Sequence, residues 1–301
     1  MADIKIYGTL KNATNSGKIA YATQVFDETK GKFQSQINEE GDGNSRKFRY
    51  AHWNIGHFTY YDNIQGSSTP DIPDDEAEAM AVRYKKALNE INADVLGVCE
   101  DDPVFDAAGD TSIDMLYYKY GIKYQGTKYN YMCASIYTNL PLVVSSVTEV
   151  TYPHTVQANR YYKLMVATLN GHTVKIIETH LDFDQGEHGA EYRATQIQKL
   201  VTDFANDPYV IISADFNVYS TEEYDAFASA GYAMANHGYI GDLVTYHGHL
   251  SPYNQRPLDN IMAKGFRMSN IKVHEDTFDL SDHAAISCDL EMILQFDSTP
   301  N

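Results

Sequence analysis

Residues 209–217, YVIISADFN, indicate how the chain folds, because a run of apolar and β-branched residues ends abruptly in polar ones. The first part of this stretch has the composition of a strand that is buried on both faces. Asp215 and Asn217 stand where the strand opens into a loop. Polar groups at the end of a buried strand are costly unless water or a partner satisfies them, so they tend to line a cleft. The stretch therefore predicts a buried strand that ends at a functional site.

The same pattern, an apolar strand that ends in an acid, an amide or a histidine, recurs along the chain. It follows RYAHW, DVLGVC, VKIIET and RPL, and it appears again in LSDHAA. In chain order, the residues that the pattern selects are Asn54, Glu100, His180, Asp215, Asn217, Asp259, Asp282 and His283. Carboxylate, amide and imidazole groups without clustered thiols suit an oxygen-ligated Mg²⁺ or Mn²⁺ ion and do not suit a zinc cage. We expect these residues to converge in one cleft.

From Arg46 onward, strand-like segments rich in Val, Ile, Tyr and Thr alternate with helix-like segments. The spacing predicts helices over residues 74–91 and 187–205. The second of these helices has one apolar face, formed by Ile197, Leu200, Val201 and Phe204. Strands and helices mixed in this way indicate a layered α/β or α+β domain over residues 46–301.

The composition is that of a soluble globular protein, with 43% hydrophobic and 21% charged residues. The sequence has no apolar run near the roughly 20 residues that a membrane helix needs. The net charge of −18 argues against tight, non-specific binding to duplex nucleic acid, which relies on Lys and Arg contacts to phosphates. It does not exclude a nuclease, because a bound divalent cation reverses the field locally.

The three cysteines, Cys99, Cys133 and Cys288, are widely separated and each lies in an apolar, strand-like stretch. A disulfide framework requires an even number of cysteines, and a thiol metal site requires clustered ones. We therefore expect buried free thiols that pack as small hydrophobic side chains.

Six short motifs, taken in order, resemble those of the endonuclease/exonuclease/phosphatase superfamily. They are WNI at 53–55, CE at 99–100, THLD at 179–182, ADFN at 214–217, LDNI at 258–261 and SDH at 281–283. The resemblance covers almost all of residues 46–290. It implies a four-layered α/β sandwich, in which two mixed β-sheets pack face to face with helices on the outside.

The resemblance also implies a phosphoesterase that depends on Mg²⁺ or Mn²⁺, and it assigns the residues of a metal site. Glu100 would hold the divalent ion, with Asn54 beside it as a ligand or a supporting group. Asp282 would approach a metal. The natural substrate stays open at this point, with a nuclease or a general phosphodiesterase favoured, because the sequence shows neither a lipid-docking hairpin nor basic clusters for inositol polyphosphates.

The same resemblance implies roles for the catalytic residues. Asp215 would orient or deprotonate the attacking water, and Asn217 would position it and the phosphate. His283 would contact the scissile phosphate, with Asp259 behind it to fix the tautomer. His180 would bind the phosphate or protonate the leaving group.

Two departures from the family pattern and several simpler interpretations compete with these roles. Ala214 stands where the family has Gly before DFN, and Ala284–Ala285 stand where it has Pro after SDH, so we expect small backbone changes. An isolated Asp-x-Asn is usually a turn, because both side chains bond to nearby backbone. The simpler interpretation of Glu100 is a residue on a solvated loop. The simpler interpretation of Asp282 is a residue that only caps the next strand.

Residues 1–45 are predicted to form a small N-terminal module that docks on a partner. The Gly-rich stretch EGDGNS separates it from the rest, and so short a segment buries too little apolar surface to be stable alone. Its segments IYGTL, GKIAYATQVFDE and GKFQSQIN resemble the leader of tail or virion proteins of phages that infect Bacteroidetes. The resemblance implies a virion or assembly partner. It also leaves an alternative function, that of a virion or tail-associated structural protein that keeps the fold and uses its cleft for recognition.

The start of the chain, MADIKIYGTL, lacks the basic and apolar regions of a secretory signal. We therefore expect a cytoplasmic or phage-particle-associated location.

Overall fold

The structure is a computed structural model that describes residues 5–6, 25–27, 32–33, 47–56, 74–100, 122–124, 134–138, 140, 142–153, 160–183, 187–247 and 255–293. The chain divides into two compact units, Met1–Arg46 and Lys47–Asn301. In the first unit, three short strands form an antiparallel sheet: β1 (Lys5–Ile6), β2 (Val25–Asp27) and β3 (Lys32–Phe33). Most of the predicted docking module lies outside the described residues, so its role stays a prediction.

The second unit contains strands and helices in the alternation that the sequence predicts. In chain order its elements are β4 (Lys47–Asn54), α1 (Asp74–Ile91), β5 (Val95–Cys99), β6 (Ile122–Tyr124), β7 (Ala134–Thr138), β8 (Val143–Thr151), β9 (Tyr161–Leu169), β10 (His172–His180), α2 (Glu187–Asp203), β11 (Val210–Asp215), α3 (Asp225–Ser229), β12 (Ala233–Met234), β13 (Tyr246–His247), β14 (Gln255–Arg256), β15 (Asp259–Lys264), β16 (Phe266–His274) and β17 (Ala285–Met292). Short 3₁₀ helices precede α3 and β17, at Thr221–Tyr224 and Glu275–Asp279.

Two six-stranded mixed sheets form the body of this unit. The first has the strand order β16-β17-β4-β5-β7-β6, and the second has the order β12-β15-β11-β10-β9-β8. Each sheet contains one parallel pair, β4 with β5 and β10 with β11, and the other pairs are antiparallel. The strands β13 and β14 form a separate antiparallel pair.

The side chains of these sheets divide into three apolar clusters, which place the sheets face to face between helices. One cluster lies between the sheets and joins Tyr50 and Val95 of the first sheet to Ile176 and Ile211 of the second. A second cluster packs α1 on the outer face of the first sheet, and a third packs α2 and α3 on the outer face of the second. The predicted four-layered sandwich is therefore confirmed.

Period-two alternation explains how a single strand serves two of these layers. In β4, Ala51 and Trp53 face α1, whereas Tyr50 faces the second sheet. His52 and Asn54 continue the inward-facing series, because they follow Tyr50 at intervals of two. The space between the sheets is thus apolar over most of its length and polar where β4 ends.

The polar ends of many strands meet at one edge of the sandwich. Parallel pairing brings the carboxyl ends of β4 and β5 together, and those of β10 and β11. The antiparallel neighbours β15 and β17 begin at the same edge, since Asp259 pairs with Asp215 and Ile286 pairs with His52. This arrangement gathers residues that are far apart in the sequence.

Two further predictions concern the cysteines and membrane spans. Cys99 and Cys288 are buried free thiols, as expected, whereas Cys133 lies outside the described residues. Among the helices that the structure describes, none has the length and apolar character needed to cross a membrane.

Helix α2 provides a test of the outer layer. Leu200 is 0% exposed and packs on the second sheet, so Leu200→Ala should leave a cavity and lower the free energy of unfolding by about 2–5 kcal/mol. Urea denaturation followed by circular dichroism measures the loss. Gln198→Ala, on the exposed face of the same helix, is the matched control and should change it by less than about 0.5 kcal/mol. Equal losses in the two variants would contradict this packing.

Candidate active site

A cleft of about 330 Å³ lies at the edge where the polar strand ends meet. Its lining residues are Glu100, His180, Phe183, Asp215, Asn217, Tyr219, Tyr246, Arg256, Leu258, Asp282 and His283. Of the residues selected from the sequence, all but Asn54 and Asp259 line this cleft. Those two are buried and hydrogen-bonded to lining residues. The structure therefore brings the whole candidate set together.

His283 and Asp259 form a hydrogen-bonded pair within the site. The distance between His283 Nδ1 and Asp259 Oδ2 is 2.7 Å, and Trp53 Nε1 donates to the His283 carbonyl at 3.0 Å. Burial favours the neutral ring, but the carboxylates of Asp259, Asp215 and Asp282 hold the pKa of His283 well above its usual range. The cleft thus contains a positively charged imidazole with a fixed orientation.

Asp215 is held on both oxygens. Asn54 Nδ2 donates to Oδ2 at 3.0 Å, and the backbone N–H of Asn217 donates to Oδ1 at 3.0 Å. Burial raises the pKa of Asp215 to about 7, with neighbouring carboxylates adding to this effect and the charged His283 opposing it. A carboxylate that titrates near neutral pH is suited to accept a proton during a reaction.

His180 lies between two carboxylates. Its Nδ1 is 3.5 Å from Glu100 Oε1, and its Nε2 is 3.4 Å from Asp215 Oδ2. Burial lowers the pKa of His180 well below its usual value, and the nearby guanidinium of Arg160 lowers it further. Arg160 Nη1 also donates to the His180 carbonyl at 3.0 Å. His180 is therefore a neutral ring, which offers one N–H donor.

Glu100 stands directly after β5 with a φ of 55°, in the left-handed region that a non-glycine residue seldom adopts. Backbone in this region costs of order 1 kcal/mol and is frequent at functional sites. Asn54 Nδ2 donates to Glu100 Oε1 at 3.2 Å, while Asn54 Oδ1 accepts the N–H of Gly56 at 3.1 Å. In this arrangement Asn54 orients Glu100 through its N–H group.

The donor set fits a hard divalent cation. Glu100 and Asp282 present carboxylates to the cleft, close to the buried Asp215. Asp215, Asp259 and His283 form another group of possible ligands, whose ligand atoms all lie within 4.8 Å of one another. Asp259 is less suited to a metal, because each of its oxygens already contacts a histidine ring. Glu100 remains a candidate ligand that lines the cleft, and oxygen ligands suit a hard divalent cation.

Sequence reasoning missed two buried residues behind the site, His52 and Glu178. His52 Nε2 is 2.9 Å from Asp259 Oδ1, and His52 Nδ1 is 2.9 Å from Glu178 Oε1. Burial opposes protonation of His52, yet the two carboxylates raise its pKa to about 10. The sequence did contain a signal for them. His52 lies two residues before Asn54, and Glu178 lies two residues before His180, so both side chains face the space between the sheets.

The rim of the cleft also contains residues that the sequence pattern did not select. Phe183 is 45% exposed, and the Arg256 guanidinium carbon lies 4.9 Å from the centre of the Tyr219 ring. The rings of Tyr246 and His283 are 4.8 Å apart. These residues sit on loops and on the short strands β13 and β14, where no strand-end pattern marks them.

The simpler interpretations hold only in part. The bond from the Asn217 N–H to Asp215 Oδ1 is that of an Asx-turn, yet both side chains line the cleft. The departure at Ala284–Ala285 has a clear consequence, because the Ala284 N–H donates to the Thr245 carbonyl at 2.7 Å and the Ala285 N–H donates to Thr277 Oγ1 at 2.8 Å. A proline at either position lacks the donor.

Comparison with known proteins gives a match in structure and not in sequence. No protein-family model matches the chain, and no curated protein matches it either.

Several solved structures have a similar fold. One is TDP2 of D. rerio complexed with a single-strand DNA product, with 15% identity, a TM-score of 0.62, and coverage of 81% of this chain and 98% of that one. Another is the endonuclease/exonuclease/phosphatase from Beutenbergia cavernae, at 16% identity and TM-score 0.62, covering 82% of this chain and 72% of that one. A third is the endonuclease/exonuclease/phosphatase from Bacteroides vulgatus, with 15% identity, a TM-score of 0.60, and coverage of 82% of this chain and 99% of that one. The chain therefore has the fold of the endonuclease/exonuclease/phosphatase superfamily.

Proposed function

We propose that the chain is a divalent-metal-dependent phosphoesterase that hydrolyses phosphodiester or phosphomonoester bonds, and acts as a nuclease or general phosphodiesterase. The observation that carries this proposal is the presence of opposite charges in one cleft. The carboxylates of Glu100, Asp215 and Asp282 attract a cation, whereas His283 and Arg256 attract an anion. A phosphate ester that binds together with a divalent cation matches both parts of this cleft.

Each residue of the cleft has its own role in the proposed hydrolysis. Asp215 accepts the proton of the attacking water, because burial raises its pKa to about 7 and its oxygens are held in place. Asn217 positions that water and the phosphate for in-line attack. His283 donates from Nε2 to a phosphate oxygen and stabilises the charge that develops there. Asp259 accepts from Nδ1 and keeps the ring in the orientation that allows this.

Glu100 and Asp282 would hold the cation, with Asn54 orienting Glu100. When bound, Mg²⁺ or Mn²⁺ supplies Lewis-acid polarisation of a phosphoryl oxygen. His180, kept neutral by burial, donates a hydrogen bond to the phosphate or to the leaving-group oxygen.

The rim supports a substrate with aromatic groups, such as a single-stranded nucleic acid or a nucleotide diester. Phe183, which is 45% exposed, and Tyr246 place aromatic rings on the rim, and stacking on aromatic side chains is a common way to bind unpaired bases. The net charge of −18 argues against a long duplex held through its phosphates. A parallel screen on single-stranded DNA, plasmid DNA, RNA, phospholipid and a phosphosugar identifies the class.

We also propose that residues 1–45 attach the enzyme to an assembly or virion partner and do not take part in hydrolysis. The support is the small size of this segment and the Gly-rich stretch that follows it. A cytoplasmic or phage-particle location belongs to the same proposal.

Hydrolysis of bis-p-nitrophenyl phosphate tests the proposed function. Turnover should require Mg²⁺ or Mn²⁺ and disappear with EDTA. Asp215→Asn and His283→Ala should each lower kcat by ~10² or more, because each residue acts on the transition state. Asp259→Asn acts on the same step as His283→Ala, so the double variant should lose much less than the product of the single losses.

The matched controls are exposed residues of the same types. Asp225→Asn and His188→Ala should retain wild-type turnover. Full activity in EDTA, or wild-type kcat in Asp215→Asn, would refute the proposed function.

A shortened chain that begins at Ser45 tests the leader. It should hydrolyse the small diester at the wild-type rate and form a smaller assembly by light scattering, because the removed segment docks elsewhere. If the shortened chain is unfolded by circular dichroism, the segment belongs to the catalytic unit and the proposal fails.

A further inference from the structure

We propose that His52 and Glu178 are positioning residues for catalysis, and that they fix the orientation of the Asp259–His283 pair from behind. The inference rests on the proposed function, which makes His283 the group that contacts the phosphate. Neither His52 nor Glu178 lines the cleft, so both act through another residue.

The side chains form one continuous chain of polar contacts. Glu178 Oε1 lies 2.9 Å from His52 Nδ1, His52 Nε2 lies 2.9 Å from Asp259 Oδ1, and Asp259 Oδ2 lies 2.7 Å from His283 Nδ1. His52, Glu178 and Asp259 are all 0% exposed. Because His52 occupies Oδ1, the carboxylate of Asp259 can present only Oδ2 to His283. The rotation of Asp259 is thereby fixed.

Glu178, at the end of this series of contacts that is remote from His283, is held by other side chains. Ser213 Oγ donates to Glu178 Oε2 and is itself 2.7 Å from the hydroxyl of Tyr50. Cys99 Sγ donates to Glu178 Oε1 at 3.2 Å. Glu178 therefore cannot turn away from His52 without losing several hydrogen bonds at once.

Gly97 provides the space for this carboxylate. It lies in β5 opposite Glu178, and a Cβ at this position would collide with the Glu178 carboxyl group and with Ser213 Oγ. Its backbone conformation is ordinary, so the missing side chain matters only for this close approach. The first sheet is thus shaped to accept Glu178 from the second.

The contacts cross between the sheets at every step. Glu178 and Asp259 belong to the second sheet, while His52 belongs to the first and His283 lies two residues before the first sheet's strand β17. The position of the His283 imidazole therefore depends on the distance between the two sheets.

Stability alone does not explain these buried charges. A buried ion pair is often no more stable than apolar residues of the same volume, whereas removal of one partner leaves a costly unpaired charge. A role in holding a functional side chain gives a physical reason for their presence, as partners behind a reactive histidine commonly do.

His52→Gln tests the inference, with His274→Gln as the matched control. His274 is also buried and lies in the same sheet, where its Nε2 is 2.9 Å from Ser287 Oγ, and it does not line the cleft. We expect His52→Gln to lower kcat on bis-p-nitrophenyl phosphate by ~10–100-fold with little change in KM. His274→Gln should keep both constants. Added to Asp259→Asn, His52→Gln should cause little further loss.

A spectroscopic readout separates this inference from the proposed function. In ¹⁵N-histidine-labelled protein, the Nδ1–H proton of His283, assigned by its loss in His283→Ala, should shift in His52→Gln and stay in place in His274→Gln. If the wild type hydrolyses no phosphate ester, the proposed function fails, and this resonance still decides whether His52 positions His283.

Glu178→Gln, nearly identical in shape, provides a second variant if His52→Gln does not fold. It should lower kcat and move the His283 resonance in the same directions. Wild-type kcat with an unmoved resonance in the folded variant would overturn the inference. Equal losses of kcat in His52→Gln and His274→Gln would overturn it too, since they would show only a general loosening of the core.

Discussion

The two sheets must enclose charged as well as apolar side chains in the space between them. Most of this space is apolar, but at one edge it contains charged side chains that are almost completely buried. Such groups are stable only when each has a partner, and the partners come from the opposite sheet. The pairing of His52 with Asp259 and Glu178 therefore contributes to sheet packing and site geometry together.

The sequence predicts much of the fold because local pattern and tertiary structure agree. Helix α1 has the predicted bounds, and α2 ends two residues before the predicted end, at Asp203. Strand-end polar residues such as Asp215 and Glu100 were predictable for a physical reason. A carboxylate at the end of a buried strand is costly unless water or a partner satisfies it. Their convergence followed from parallel pairing, which places the ends of neighbouring strands at one edge.

The remaining features depend on contacts that no local pattern encodes. His52 and Glu178 occupy inward positions in the middle of apolar strands, where each looks like an isolated polar residue until the opposite sheet is in place. The stacking of Arg256 over Tyr219 joins strand β14 to the loop after β11, which is distant in the sequence. Asn54 was predicted beside the metal as a ligand or a support, but its bonds to Glu100, Asp215 and the N–H of Gly56 follow from no local pattern.

We propose that Glu100 holds a divalent cation beside His180 and His283, and locating the metal in a substrate-analogue complex tests this. A crystal structure with Mn²⁺ and a non-hydrolysable phosphorothioate diester, recorded at the manganese edge, locates the metal by its anomalous scattering. The predicted result is a peak bonded to a Glu100 carboxylate oxygen, with the ester phosphate in hydrogen-bond contact with His283. A manganese peak elsewhere on the protein, with the cleft empty or the phosphate remote from His283, would contradict the claim.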